Sequence, residues 1–363
     1  MAELKEKYPG YTVKEYTGGT ILPGLIDMHV HVGSCTNGSN VENYNDFQIA
    51  YSAAAFAREA FTKGVTTFRD TSSPKNLCAS MNKAVKEGHI EIPRIIHTDT
   101  ALCFTGGHGW EGGVEVDGPW VIRAAIRDAI KRGADWIKVM ASHRSNTPEF
   151  TQEELDAIVD ECHRVNKKAA VHAGTQPSIQ MCIDAGFDTI EHGTYLTVPQ
   201  AEQMAKKGIV WVPTIVAYTR THEYIQENMN NADLDATGRS FVKHHVYFRD
   251  AAAAYRDNFK KLYETGVKIT TGTDLVTKNA PVTPVASELK YMVRYGMPAI
   301  EAIRAATKAC AETLDIDNIT GEIAIGKNAD ILIVAGNPLE DIGVMEKAAE
   351  VYFGGKPVYC AGS

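Results

Sequence analysis

One pattern recurs along the chain of 363 residues and limits its fold more than any other. A helix-like stretch ends at glycine, a short apolar run follows, and the run ends in a polar side chain capable of chemistry. It is seen at 64–70 (GVTTFRD), 133–138 (GADWIK), 186–192 (GFDTIEH), 208–214 (GIVWVPT) and 266–274 (GVKITTGTD), and without the glycine at 168–172 (KAAVH). Glycine supplies the left-handed cap that stops a helix, and a buried parallel strand is short and apolar on both faces. The intervening helices are readable as well. Thr151 and Glu154 make a capping box, Leu155, Ile158, Val159, Cys162 and Val165 share one helical stripe, and Pro199, Pro284 and Pro298 sit where a first helical turn accepts proline. Strand alternating with helix leaves a doubly wound sheet or a barrel. Strand candidates at 26–31, 65–68, 94–98, 136–140, 169–172, 189–192, 209–214 and 268–273 favour an α/β fold of the (β/α)8 TIM-like barrel type over residues 22–320.

The ends read differently. Residues 321–341 and 351–359 are strand-like and punctuated by glycine with no comparable helix between them, and 11–22 can add a strand. Residues 1–21 plus 321–363 are therefore expected to form a small composite β domain from both termini. Seven scattered cysteines without a C-x-x-C pair predict reduced, mostly buried thiols. The 45 acidic against 37 basic residues leave a net charge of −8, with no Lys/Arg tract, which argues against nucleic acid or an anionic membrane as partner and for a small-molecule substrate. No apolar stretch is long enough to cross a bilayer and residues 1–10 lack a signal-peptide core, so a cytoplasmic location is expected.

In a barrel of this type the active site lies at the C-terminal ends of the strands, where the rhythm places its polar residues. These are His29 and His31, Lys138, His172, His192 and Asp274. Taken singly, His172 or His192 reads more readily as a hydrogen-bonded core histidine than as a ligand, and Asp274 reads equally well as a helix N-cap. The pair His29-Val30-His31 is stronger, because residues i and i+2 of a strand point to one side and both imidazoles can reach one ion. Lys138 is hardest to explain structurally. It sits in an apolar run, and burying an unpaired ammonium costs several kcal/mol, roughly, so it needs a partner or a modification. Four histidines, a carboxylate and a lysine converging on one barrel mouth indicate a metal site.

The ordered set Pro23-Gly24-Leu25-Ile26-Asp27-Met28-His29-Val30-His31, Lys138, His172, His192 and Thr273-Asp274 resembles the amidohydrolase superfamily of metal-dependent hydrolases over nearly the whole chain. The segments 105–109 (TGGHG), 137–142 (IKVMAS), 190–193 (IEHG) and 328–330 (NAD) are similar to its imidazolonepropionase and prolidase-like branch. The resemblance implies two divalent metal ions, usually zinc. His29, His31 and Asp274 would hold one, His172 and His192 the other, and Lys138, carboxylated by carbon dioxide, would bridge them. It further implies water activated between the ions, with Asp274 as the catalytic proton carrier, and cleavage of an amide bond in a dipeptide or N-acyl amino acid with a free carboxylate.

Candidate substrate residues are His108 in the glycine-rich loop, His143 and Arg144 after the Lys138 strand, and Tyr218; a surface turn competes for His108 and ordinary packing for Tyr218. At His143-Arg144 the chain departs from the small glycines of the family, and fewer residues precede His29 than members usually carry, so the β appendage is expected to be short of strands. Members also suggest a homo-oligomer. The alternative readings are ring opening of an imidazolone-like cyclic amide and mononuclear deamination of a heterocycle; against the second, no acid follows His172 in His172-Ala173-Gly174-Thr175.

Overall fold

Short buried strands alternate with amphipathic helices through most of the chain, as the glycine rhythm predicts. The computed structural model describes residues 6–7, 10, 13–34, 45–142, 146–234, 236–274 and 284–362. In chain order the strands are β1 (Gly19–Pro23), β2 (Leu25–Val30), β3 (Val65–Asp70), β4 (Arg94–His97), β5 (Leu102–Cys103), β6 (Val114–Glu115), β7 (Trp136–Met140), β8 (Lys168–Ala173), β9 (Thr189–His192), β10 (Val210–Val212), β11 (Ile331–Ala335), β12 (Ala348–Phe353) and β13 (Lys356–Cys360). The helices are α1 (Asp46–Glu59), α2 (Leu77–Lys86), α3 (Pro119–Lys131), α4 (Gln152–Arg164), α5 (Gln176–Ala185), α6 (Val198–Lys207), α7 (Ile215–Asn228), α8 (Ala236–Lys243), α9 (His245–Tyr263), α10 (Val285–Arg294), α11 (Ala299–Ala305) and α12 (Lys308–Thr313).

Local chemistry accounts for these boundaries. Thr151 and Glu154 close the expected capping box on α4, whose Leu155, Ile158, Val159 and Cys162 are buried. Gly186 and Gly208 stop α5 and α6 in the left-handed conformation, and β9 and β10 follow within a few residues.

The fold is α/β with parallel sheets. One sheet runs β2-β3-β4 and a second β10-β9-β8-β7-β5-β6. Hydrogen bonds tie both edges of the first sheet to the second: His97 O, at the end of β4, accepts from Asp135 N at 2.9 Å just ahead of β7, and Thr271 O accepts from Met28 N of β2 at 2.8 Å while Ile269 bridges in parallel to Trp211 of β10. The strand expected at 268–273 is reduced to that single bridge. Its threonines are committed elsewhere: Thr271 Oγ1 donates to Ile26 O at 2.8 Å and Thr273 donates to the Asp27 carboxylate through both N and Oγ1. The two-residue strands β5 and β6 escape sequence reading because two residues carry no period.

Both ends of the chain meet in an antiparallel sheet of order β1-β11-β12-β13, with Gly19 opposite Ala335 and Pro23 opposite Ile331. It packs against the parallel layers through Phe61 on Phe353 (ring centroids 5.5 Å apart) and the Arg94–Asp330 ion pair at 3.2 Å. Gly64 allows this approach, since a Cβ there would meet Leu332 Cδ2 at 2.8 Å. Cys78, Cys103, Cys162, Cys182 and Cys310 are free and buried and Cys360 is exposed; Cys35 lies outside the described residues. Among the described residues no helix is long and apolar enough to cross a membrane.

Candidate active site

The strand ends of β2, β7, β8 and β9 and the segment after Ile269 converge on one buried cluster. The β2/β3 register slips between Leu25/Ile26 and again between Asp27/Val30, and His29 falls in the second interval. Such irregularities re-aim side chains. His29 and His31 lie with ring centroids 5.2 Å apart, and both turn Nε2 toward Asp274 Oδ1, at 3.6 and 3.2 Å. From β9, His192 Nε2 is 3.9 Å from Asp274 Oδ2. One ligand-type atom from each of His29, His192 and Asp274 lies within 4.8 Å of the others, close enough to share one cation. His172 at the end of β8 packs its ring 4.4 Å from those of both His192 and His108. Lys138 points in from β7 with Nζ 3.5 Å from His29 Nε2.

The electrostatics are unusual for a protein core. Burial drives the His29 and His172 imidazoles well below their ordinary value and His192 to about 4, so all three are neutral donors at neutral pH. Burial pulls the Lys138 amine down to about 8, and no carboxylate lies within ion-pair distance of it among the described residues. Asp274 is the exception. Burial would raise its carboxyl, yet His29, His31 and His192 outweigh that and hold it far below the usual range; it keeps 24% of its side-chain surface open while His29 keeps 1%.

Backbone strain marks the same place. His192, Thr214 and Asp274 have φ of 65°, 50° and 47°, left-handed values that cost non-glycine residues of order 1 kcal/mol each and persist only where the surroundings enforce them. At His192 the benefit is geometric. Alternation along β9 puts Thr189 and Glu191 on one face and would send His192 to the other, but the left-handed turn brings its ring back beside Asp274. The enforcing contacts are buried: His192 O accepts from Trp211 Nε1 at 2.7 Å and Tyr255 OH at 3.0 Å, and His192 Nδ1 pairs with Thr214 Oγ1 at 2.7 Å. Glu288 of α10 accepts from the first amides of α7, Ile215 N at 2.9 Å and Val216 N at 2.7 Å, and burial raises its carboxyl to about 8. Asp27, pushed up to about 7 by burial, ties His29 N to Thr273.

Among the candidate substrate residues, His108 sits at the cluster through its ring contact with His172, its backbone N donating to Glu149 at 3.0 Å. Tyr218, on the first turn of α7, is buried with its ring 5.6 Å from that of His192. His143 and Arg144 lie outside the described residues. Sequence reasoning missed Arg69, Glu191, Thr214, Tyr255 and Glu288 as parts of this site. The signal available was Thr189-x-Glu191, a polar pair on one face of an otherwise apolar strand, and Arg69 inside β3.

The family model described as the amidohydrolase family matches residues 20–358. Ochratoxinase of Aspergillus niger is 31% identical over 98% of this chain and 79% of that protein. A Xaa-Pro dipeptidase solved with methionine in its active site superposes with a TM-score of 0.80 at 32% identity, covering 94% of this chain and 87% of that one. A prolidase complexed with N-methylphosphonate-L-proline gives 0.82 at 26% identity, covering 96% and 90%. The chain belongs to the amidohydrolase family, in its prolidase-like branch, and is a hydrolase acting on C–N bonds.

Proposed function

We propose that this chain is a binuclear metal-dependent hydrolase that cleaves the amide bond of a dipeptide or N-acyl amino acid bearing a free carboxylate. The observation that carries the reading is the convergence of four neutral or Asp-facing imidazoles, Asp274 and a buried lysine with no carboxylate in ion-pair range among the described residues. We further infer a closed (β/α)8 barrel over residues 22–320, with 1–21 plus 321–363 as a separate small β domain. Hydrogen bonds from both edges of the β2-β3-β4 sheet to the second parallel sheet, and the sheet shared by β1 and β11, support that division.

The donor set suits divalent metal. Neutral imidazole is a ligand where imidazolium is not, and burial keeps His29, His172 and His192 in that form. Lys138 is the stronger test. An amine lowered to about 8 is neutral far more often near neutral pH than an ordinary lysine, and only the neutral amine adds to carbon dioxide to give a carbamate, a hard anionic oxygen ligand. His29, His31 and Asp274 would then hold one ion and His172 and His192 the other, with carboxylated Lys138 between them. Bound there, the ions, zinc in the family resemblance, would supply Lewis acidity toward the scissile carbonyl and a lowered water pKa.

The remaining work falls to the protein. Asp274, the most open of the proposed ligands, is placed to accept the proton of the attacking water at a carboxylate oxygen and pass it to the leaving amine nitrogen. Tyr218 and His108, with His143 and Arg144, are the candidates for holding the substrate carboxylate. The dipeptidase, prolidase and ochratoxinase likenesses support an amide substrate. Elemental analysis of protein purified without chelator in bicarbonate buffer tests the centre: about two equivalents of metal are expected, together with turnover of a Xaa-Pro and N-acyl amino acid panel. One equivalent or none, or full turnover by Lys138→Ala, overturns the binuclear reading.

A further inference from the structure

We propose that Glu191 is a positioning residue for His29: anchored by Arg69, it fixes the imidazole with its proton on Nδ1 and so leaves the Nε2 lone pair facing the Asp274 cluster. Glu191 Oε2 lies 2.7 Å from His29 Nδ1, and both side chains are essentially closed to solvent, 0% and 1% exposed. The other oxygen, Oε1, accepts from Arg69 Nη2 at 2.6 Å and Thr189 Oγ1 at 2.5 Å. Arg69 is itself over-determined. It is fully buried, donates through Nε to Met28 O at 2.7 Å and through Nη1 to Thr189 Oγ1 at 3.2 Å, and stacks on the Trp136 ring at 4.8 Å. One guanidinium thus ties β2, β7 and β9 together and presents the carboxylate in a fixed pose.

A carboxylate paired with guanidinium is acceptor-only. The hydrogen in the 2.7 Å contact therefore belongs to His29 Nδ1, and the neutral ring must carry its lone pair on Nε2, the atom 3.6 Å from Asp274. His192 is held differently. Its Nδ1 meets Thr214 Oγ1, a hydroxyl that can donate or accept, so that contact leaves the tautomer open. Of these two rings it is His29 whose Nδ1 faces a carboxylate, and carboxylate partners of this kind also raise the basicity of the imidazole. This inference rests on the metal-centre reading only for its consequence, tighter hold of the cation; the tautomer stands on the geometry alone.

The sharpest perturbation is Glu191→Gln. It preserves shape, but donor-only Arg69 requires the amide oxygen at the Oε1 position, which turns the NH2 toward His29 Nδ1. The contact is then satisfied only with the proton moved to Nε2, capping the lone pair. In protein labelled with 15N-histidine and freed of metal, His29 of the wild type should show the Nδ1–H pattern by long-range 1H–15N correlation, and the variant the Nε2–H pattern. Competition of Zn2+ against a chromophoric chelator should show about 10- to 100-fold weaker binding by the variant. An Nε2–H pattern in the wild type overturns the proposal, with no variant required. A variant with lowered melting temperature but wild-type zinc affinity and tautomer also overturns it, since that is a structural role alone. If the wild type takes up no zinc the metal-centre reading falls, and the wild-type tautomer still decides the positioning role.

Discussion

Replacing Lys138 by methionine should stabilise the metal-free protein while abolishing its function. The side chain is 1% exposed with no carboxylate in ion-pair range among the described residues, and its polar neighbour is His29 Nε2 at 3.5 Å. Burial pulls the amine from 10.5 to about 8, which corresponds to about 3 kcal/mol held against the ammonium. Below pH 8 the folded lysine is charged and carries that whole cost. Between pH 8 and 10.5 the folded amine is neutral while the unfolded one is still protonated, so wild-type stability rises and the cost disappears. Methionine has nearly the same volume and no charge, so it removes the cost with little loss of packing. Chelator-treated Lys138→Met should therefore be more stable than chelator-treated wild type by about 1–3 kcal/mol at pH 7. Urea unfolding in carbonate-free buffer measures the difference, which should vanish near pH 10.5. Metal content and turnover should be lost in the same variant. A metal-free variant less stable than wild type at pH 7, or one retaining two metal equivalents, would refute the view of Lys138 as an unpaired amine kept for ligation.

Three further outcomes follow from other parts of the molecule. Glu161, held down to about 2 by hydrogen bonds from Arg127, Arg164 and Arg123, contributes stability that is full above pH 4.5 and fades as pH falls toward 2; discounting for its half-exposed arginine partners, Glu161→Gln should cost about 1–2 kcal/mol at pH 7 and less in acid, read by urea midpoints. Gly272→Ala would place a Cβ 2.6 Å from Val212 Cγ1 and 2.7 Å from His29 Cβ, so it should destabilise by about 1–3 kcal/mol and lower metal content, because the atom that must yield carries a proposed ligand. Tyr255→Phe removes the donor shared by His192 O and Pro213 O; since Trp211 still serves His192 O, the cost should be about 1 kcal/mol, and a much larger loss in thermal unfolding would count against this division of labour.

The sequence by itself determined the strand-and-helix alternation, because glycine stops, capping boxes and apolar periodicity are local effects. The capping box at Thr151 and the strands at 136–140 and 189–192 came out as read. It also named the chemistry-bearing side chains at the strand ends, since a histidine or lysine in an apolar run is conspicuous. What only the tertiary structure decided is how those groups are held. Arg69 and Glu191 are 122 positions apart, and Ile215 and Glu288 73 apart; nothing local signals that they meet. The strand expected at 268–273 shrank to one bridge, and its Thr271 and Thr273 side chains bond to Ile26 and Asp27 across the fold. His192 shows the reason most directly. Local alternation turns its ring away from the site, and the left-handed backbone that turns it back is stabilised by Trp211 and Tyr255, contacts available only in the assembled chain.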